Sequence, residues 1–400
     1  MEKPISEARP ALQRKQSEVL LDLLRCIAAT LVLLYHWREC LFRDYPTLTA
    51  PSLPLKVFYF VTGLGPPAVM IFFVLSGYLV FGSALRARRA GTWTIASYLN
   101  QRVTRLIVPL LPALLLCWLV DAIGLRLHPQ SFFYNSLWTE TVNSPVALRH
   151  SPALLLQNLL FLQDVKVPIY GSDGPLWSLS YEFWYYIFLV PVFAASISRR
   201  PRTIVLSAAF LIAAMYFAGP DISKYALIWL LGASVVFAVH IPLRLSKSAN
   251  RALIVASVLL LLLTLAMVRF KSIHSYFLGD FLLGLACALF IGSAARSSET
   301  VSSNFLTRGA KSYAGWTYSL YLLHMPVLVL IASLLVRAER WTPDALHFAL
   351  AAGILIAVLL YANAVSLFTE RRTDWVRAFV AAKLNLNRPT SKPPLESSTV

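Results

Sequence analysis

Long apolar runs alternate along the chain with short polar, mostly basic connections, a pattern that predicts membrane-spanning helices and not a soluble core. The spans read from this pattern lie at 19–37, in a run ending at 72–82, and at 106–120, 177–196, 204–217, 225–239, 253–268, 276–293, 317–336 and 346–368. Segment 154–162 is apolar but too short to cross straight, and it is expected to be a buried or re-entrant element. The fold class is therefore all-α, a polytopic integral membrane protein of about ten transmembrane helices. An N-terminal tail at 1–18 precedes the bundle at 19–370. The C-terminal tail at 371–400 is basic at first and then rich in Pro and Ser.

Composition agrees with this class: 58% of residues are hydrophobic, only 14% are charged, and the mean hydropathy is +0.64. A formal charge of +17 would suit nucleic acid, but the basic residues sit in short loops with no long soluble basic face. Topology explains them better. With the N-terminus inside, inner segments carry 24 Lys and Arg and outer loops 11, so both termini are expected in the cytoplasm of a multi-pass protein of the inner (plasma) membrane. No small-residue cleavage site follows the first run, which reads as a retained signal anchor. Four scattered cysteines form no Cys-x-x-Cys, and neither a disulfide framework nor a metal site is expected.

The first span carries the most informative chemistry. Asp22, Arg25 and His36 stand in or at the edges of V-L-L-D-L-L-R-C-I-A-A-T-L-V-L-L-Y-H-W, where each ionisable group costs roughly 2.5 to 3.5 kcal/mol at a helix centre. Eleven helical steps return to within roughly 20° of the starting azimuth and rise about 16 Å. Arg25 and His36 therefore share one stripe, one near each membrane face. Two readings stay open: the pair faces a polar cavity, or Arg25 snorkels to the interface while His36 sits beside an anchoring Trp37.

Other polar positions group around this stripe. Arg102 and Arg105, three residues apart at the entry to the third span, share a face and suit one anion; Arg86, Arg88 and Arg89 read as topology and headgroup contacts. Glu182 lies about six residues below the outer end of its span, near the depth of His36, where it either pairs with that histidine or forms an interhelical salt link. His324 sits inside the ninth span shortly before Pro326, and is read either as a histidine bonded within the bundle or as part of the site. The aromatic groups Tyr134, Trp138, Tyr170 and Trp177 in or beside the outer loops suit sugars in general. Asp280 and Glu370 read as span ends. No phosphate-binding glycine loop, His-Glu-x-x-His or Gly-x-Ser-x-Gly elbow is present, so nucleotidase and hydrolase readings lack their usual support.

Five of these stretches together resemble the integral-membrane acyltransferase-3 family, which includes O-antigen, exopolysaccharide and Nod-factor acetylases and macrolide acyltransferases. The resembling stretches are Arg25 and His36 with ten residues between them, F-F-V-L-S-G-Y-L with Ser76 and Gly77, R-V-T-R with Arg102 and Arg105, W-S-L-S-Y-E-F-W-Y-Y with Glu182, and Y-S-L-Y-L-L-H-M-P with His324. Phe183 stands where the family commonly has a second Glu, so the site reading rests on Glu182. The resemblance implies transfer of an acyl group, most often acetyl from cytosolic acetyl-CoA, to a hydroxyl of a sugar or glycan at the outer face, with no metal. Many members carry an extra hydrolase-like domain after the bundle; only about thirty residues follow the last span here, and the bundle is expected to hold the activity.

Joined to the residue reading, this gives an expected mechanism. Arg102 and Arg105, with Arg25, hold the phosphates of acyl-CoA, and the pantetheine arm runs up the Arg25–His36 stripe. His36 is general base or transient acyl carrier and needs a neutral imidazole for either. Glu182 orients that ring. Ser76, Tyr321 or backbone amides near 171–174 stabilise the oxyanion, with Asp22, Trp177 and His324 in support. The partners are thus acyl-CoA, a glycan or glycolipid acceptor and the bilayer. A rival reading is a proton-coupled transporter or flippase for a glycolipid or polysaccharide precursor, since intramembrane His, Arg and Glu suit a carrier too.

Overall fold

The computed structural model describes residues 13–135, 145–243, 245–336 and 339–386. Its helices are α1 (Gln16–Leu41), α2 (Leu53–Val61), α3 (Gly65–Arg89), α4 (Ile95–Leu127), α5 (Phe132–Asn135), α6 (Pro152–Leu159), α7 (Trp177–Ser198), α8 (Pro201–Ala218), α9 (Pro220–Ala238), α10 (Lys247–Arg269), α11 (Tyr276–Ala295), α12 (Phe305–Ala314), α13 (Thr317–Leu335), α14 (Ala345–Ser366) and α15 (Thr373–Lys383). Two short strands, β1 (Gln13–Lys15) and β2 (Thr300–Ser302), pair antiparallel and tie the start of α1 to the connection after α11.

Local chemistry sets the helix ends. Prolines occupy the first turns of α2, α3, α6, α8 and α9, where a missing N–H costs nothing. Side chains of Thr94, Ser246, Ser275 and Asp344 accept the otherwise unpaired backbone N–H groups that open α4, α10, α11 and α14. Nine helical stretches among the described residues are long and apolar enough to cross a membrane. Helix α1 stands outside those nine, yet its 26 residues extend about 39 Å and bury Leu24, Ala28, Leu33 and Leu41 in the core. The expected count of about ten rests on including it. Boundaries differ where the sequence was polar: the third span begins at Ile95 and not near 106, placing Arg102 and Arg105 two to three turns inside α4. The basic start of the C-terminal tail forms α15, which packs on α4. Segment 154–162 holds the short helix α6, with Asn158 fully buried and its amide donating to Leu154 O and Pro168 O.

Burial separates an inner from an outer layer. The apolar window of the stretch containing α3 is 67% buried and that of α13 is 61%, whereas those of α8, α10 and the stretch containing α14 are 11%, 22% and 22%. The latter present their apolar faces to lipid. Helix α1 packs between α3 and α13, and α13 also packs on α4 and α14. Helices α3 and α9 approach most closely at two glycines: a Cβ on Gly77 would lie 2.0 Å from Trp229 O, and one on Gly232 would lie 1.9 Å from Val74 O. Backbone cannot yield as a side chain can. Gly232→Ala is therefore expected to separate the two helices and cost about 1 to 3 kcal/mol, read as a lower thermal midpoint of the detergent-purified protein. An unchanged midpoint would show that the crossing is loose.

Candidate functional site

The close crossing of α3 and α9 aims Ser76 inward. Its Oγ donates to Glu182 Oε1 at 3.0 Å and accepts from Trp229 Nε1 at 3.2 Å. One turn along α7, the Tyr186 hydroxyl donates to the same carboxylate oxygen. Glu182 is thus held by two hydroxyls and faces a cavity of about 160 Å³ lined by α1, α3, α4, α7 and α13.

Three arginines gather at that cavity: Arg25, Arg102 and Arg105. Arg25 lies 3.5 Å from Asp22, which also pairs with Arg14 at 2.7 Å, so Asp22 anchors the start of α1 and does not line the cavity. Arg102 lies over the rings of Tyr98 and Tyr186 at 5.7 and 5.9 Å and donates to Ser83 Oγ, while its buried Nε has no hydrogen-bond partner. Arg105 has no carboxylate within ion-pair distance among the described residues. Its surface is accessible although Tyr186, Glu182, Glu370 and Tyr318 surround it, because what it exposes faces the cavity. Three guanidinium groups against one engaged carboxylate leave the pocket cationic, the charge a polyphosphate needs. Arg86, Arg88 and Arg89 stay outside it: Arg88 donates to Ser196 O and Arg89 approaches His240.

At its other end the cavity reaches Ser178 and Tyr321, whose hydroxyls lie 2.6 Å apart, and Tyr321 also donates to Pro175 O at 2.9 Å. Two histidines follow. The Tyr321 ring lies 6.1 Å from that of His324, and His324 lies 5.2 Å from His36. His324 Nδ1 is 2.9 Å from Leu320 O, and since a carbonyl only accepts, Nδ1 carries the proton. Its buried Nε2 then keeps a lone pair with no partner among the described residues. His36 is 7% exposed, and its Nδ1 lies 3.5 Å from Glu39 Oε2.

The carboxylate beside His36 is therefore Glu39, and the expected pairing with Glu182 is corrected. Glu39 stands one turn after His36 on the same helix face, whereas Glu182 is engaged by Ser76 and Tyr186 among the arginines. The other expectation for Glu182, an interhelical salt link, is not formed either within 4 Å among the described residues. Phe183 stacks on Phe161 at 4.3 Å, so a carboxylate at 183 would point away from the cavity. The aromatic sugar platforms are also revised. Tyr134 and Tyr170 are fully buried, and Trp177 packs edge-on against Phe73 and Tyr181 outside the cavity; Trp138 lies outside the described residues. All four backbone amides of 171–174 are engaged within the fold and not offered to an oxyanion: Gly171 N donates to Arg149 O, Ser172 N to Asp121 Oδ2, Asp173 N to Tyr170 O and Gly174 N to Ser172 O. Asp173, in the same loop, has both carboxylate oxygens buried and without a partner among the described residues; burial, with Asp121 nearby, pushes its pKa well up and favours the neutral acid.

Beyond Glu39, the sequence reading gave no role to Ser178, Tyr186 or Tyr318, and it read Glu370 only as a span end. Glu370 is no mere span end: its Oε2 accepts from Ser319 N at 2.8 Å, capping the first turn of the helix that carries Tyr321 and His324. Glu39 was legible, since His36 and Glu39 are three residues apart. Glu370 was not, because its partner lies 51 residues away.

Residues 19–362 match a family model described as an acyltransferase domain. A protein named O-acetyl transferase, from Shigella phage Sf6, is 26% identical over 166 residues, 42% of this chain and 43% of that relative, so the similarity spans less than half of its length. No solved structure matches.

Proposed function

Because the chain belongs to the acyltransferase domain family, we propose that it moves an acyl group, acetyl in the first instance, from cytosolic acyl-CoA to a hydroxyl of a sugar or glycan presented at the opposite face of the plasma membrane. The observation that carries this reading is one cavity with three arginines at one end and Ser178 and Tyr321 at the other, beyond which the rings of His324 and His36 follow. The arginines are fitted to the phosphates of the donor. A space of about 160 Å³ favours a narrow arm and a short acyl group over a long fatty chain. The excess of Lys and Arg in the segments on the arginine side supports a cytosolic orientation for that mouth and for both termini. The name of the phage relative supports acetyl as the group.

In this reading His36 takes the proton of the acceptor hydroxyl as its oxygen attacks the thioester carbon, and Glu39 stabilises the imidazolium that forms. The Ser178 hydroxyl, at the cavity end nearest the histidines, turns from Tyr321 to donate to the developing oxyanion, while Tyr321 keeps its own proton on Pro175 O. The carbon–sulfur bond then breaks, and the departing thiolate receives the proton from His36. Glu182 and Ser76 do different work: they sit among the arginines and shape the donor end.

The test is mass spectrometry of surface glycans and glycolipids from a deletion strain and its complemented counterpart. Loss of a mass increment equal to one acyl group, restored by the wild-type chain, is the expected result and names both acyl group and acceptor. Unchanged acylation with a precursor accumulating on the inner side would overturn the reading in favour of a transporter.

A further inference from the structure

At the end of α1 away from Arg25, a second group of arginines stands beside His36. Arg38, Arg43, Arg269 and Arg340 meet there with Asp44, Glu339 and Glu39. The pairing is uneven. Arg43 takes Glu339, Arg340 takes both oxygens of Asp44 at 3.1 and 2.5 Å, and Glu39 faces His36. Arg38 is left with Asp44 at 4.0 Å, and Arg269 with no carboxylate within ion-pair distance among the described residues.

Both guanidinium groups are nonetheless built into the fold. Arg38, whose side chain is only 11% exposed, lies over the rings of Tyr35 and Tyr59 at 5.5 and 5.6 Å. Arg269 donates to Tyr59 O at 3.1 Å and rests against Gly63, where a Cβ would come within 2.1 Å of its Nε. The Nε atoms of both arginines are buried without a hydrogen-bond partner, and the two positive charges repel. Holding two partly buried cations together is unfavourable unless an anion joins them. Phosphate geometry matches such a pair of guanidinium forks. The Tyr35 ring, which carries Arg38 on one contact, meets the His36 ring edge-on at 4.9 Å.

We propose that Arg38 and Arg269 bind a phosphate or diphosphate group carried by the acceptor, so that the sugar hydroxyl is delivered to His36 from an anion docked one tyrosine ring away. This rests on the acyl-transfer reading, but the site is tested separately from it. The probe is inorganic pyrophosphate, titrated against the full chain in phosphatidylcholine nanodiscs. An Arg102→Gln/Arg105→Gln background removes two of the three donor-side arginines and leaves Arg25, which pairs with Asp22. Pyrophosphate is expected still to bind that protein, and adding Arg38→Gln/Arg269→Gln is expected to weaken binding at least tenfold, while Arg38→Lys/Arg269→Lys keeps it within about threefold. No binding in the background, an unchanged titration with the Gln pair, or a loss as large with the Lys pair would each overturn the proposal. Affinity that holds when phosphatidylglycerol is added supports an acceptor-borne phosphate; competition by phosphatidylglycerol would assign the arginines to bilayer headgroups and overturn the acceptor role. A CoA titration unmoved by Arg102→Gln/Arg105→Gln would count against the donor site alone.

Discussion

His36→Ala is expected to lower acyl transfer by about 10²- to 10⁴-fold, the range a positioned general base contributes. The group lost is a buried imidazole beside Glu39 and the His324 ring, with a ring nitrogen that makes no hydrogen bond among the described residues. Because it ties no helix to another by a hydrogen bond, its removal is expected to spare the bundle, and CoA affinity serves as the folding control. The assay is transfer of labelled acetyl from acetyl-CoA by the purified protein. Activity within tenfold of wild type would take His36 out of the proton transfer. The companion Glu39→Gln keeps the shape of the side chain but not its charge, so its expected effect is smaller and in the same direction.

Charge reversal at Arg105 is expected to weaken CoA binding by more than the 10- to 100-fold that follows from losing one hydrogen bond to a charged group, worth about 1.5 to 3 kcal/mol. Arg105, like Arg102, has no carboxylate within ion-pair distance among the described residues, and it lines the cavity where a ligand would meet it. The substitution Arg105→Glu would add a third carboxylate to a region that Glu182 and Glu370 already influence, and Arg105→Gln therefore distinguishes lost recognition from a disturbed fold. Both are read by isothermal titration of CoA. Enclosure by Tyr186 and Tyr318 leaves the pocket weakly screened, and affinity is expected to fall less steeply with salt than for a surface pair. Unchanged affinity in both variants would retire the donor-site assignment.

The sequence by itself determined the class of this protein and most of its spans. Apolar length is a local property, and a helix in lipid satisfies its backbone internally whatever its neighbours are. The same locality made the Arg25–His36 stripe, the Arg102–Arg105 face and the intramembrane setting of Glu182 and His324 readable from spacing alone. Extending α4 back to Ile95 and forming α15 were harder, since polar residues there are carried by caps and by packing on other helices. Only the tertiary structure decided which polar groups meet. Spacing alone put Glu182 and His36 at similar depths on helices of their own, but depth fixes one coordinate while the azimuth of each helix fixes the other. Packing of α3 against α9 through Gly77 and Gly232 turns Ser76 toward Glu182 of α7, beside the arginines, and packing of α1 against α13 brings His36 to His324. The arginines that flank His36 at the far end come together from residues 38 and 269, a separation no local pattern spans.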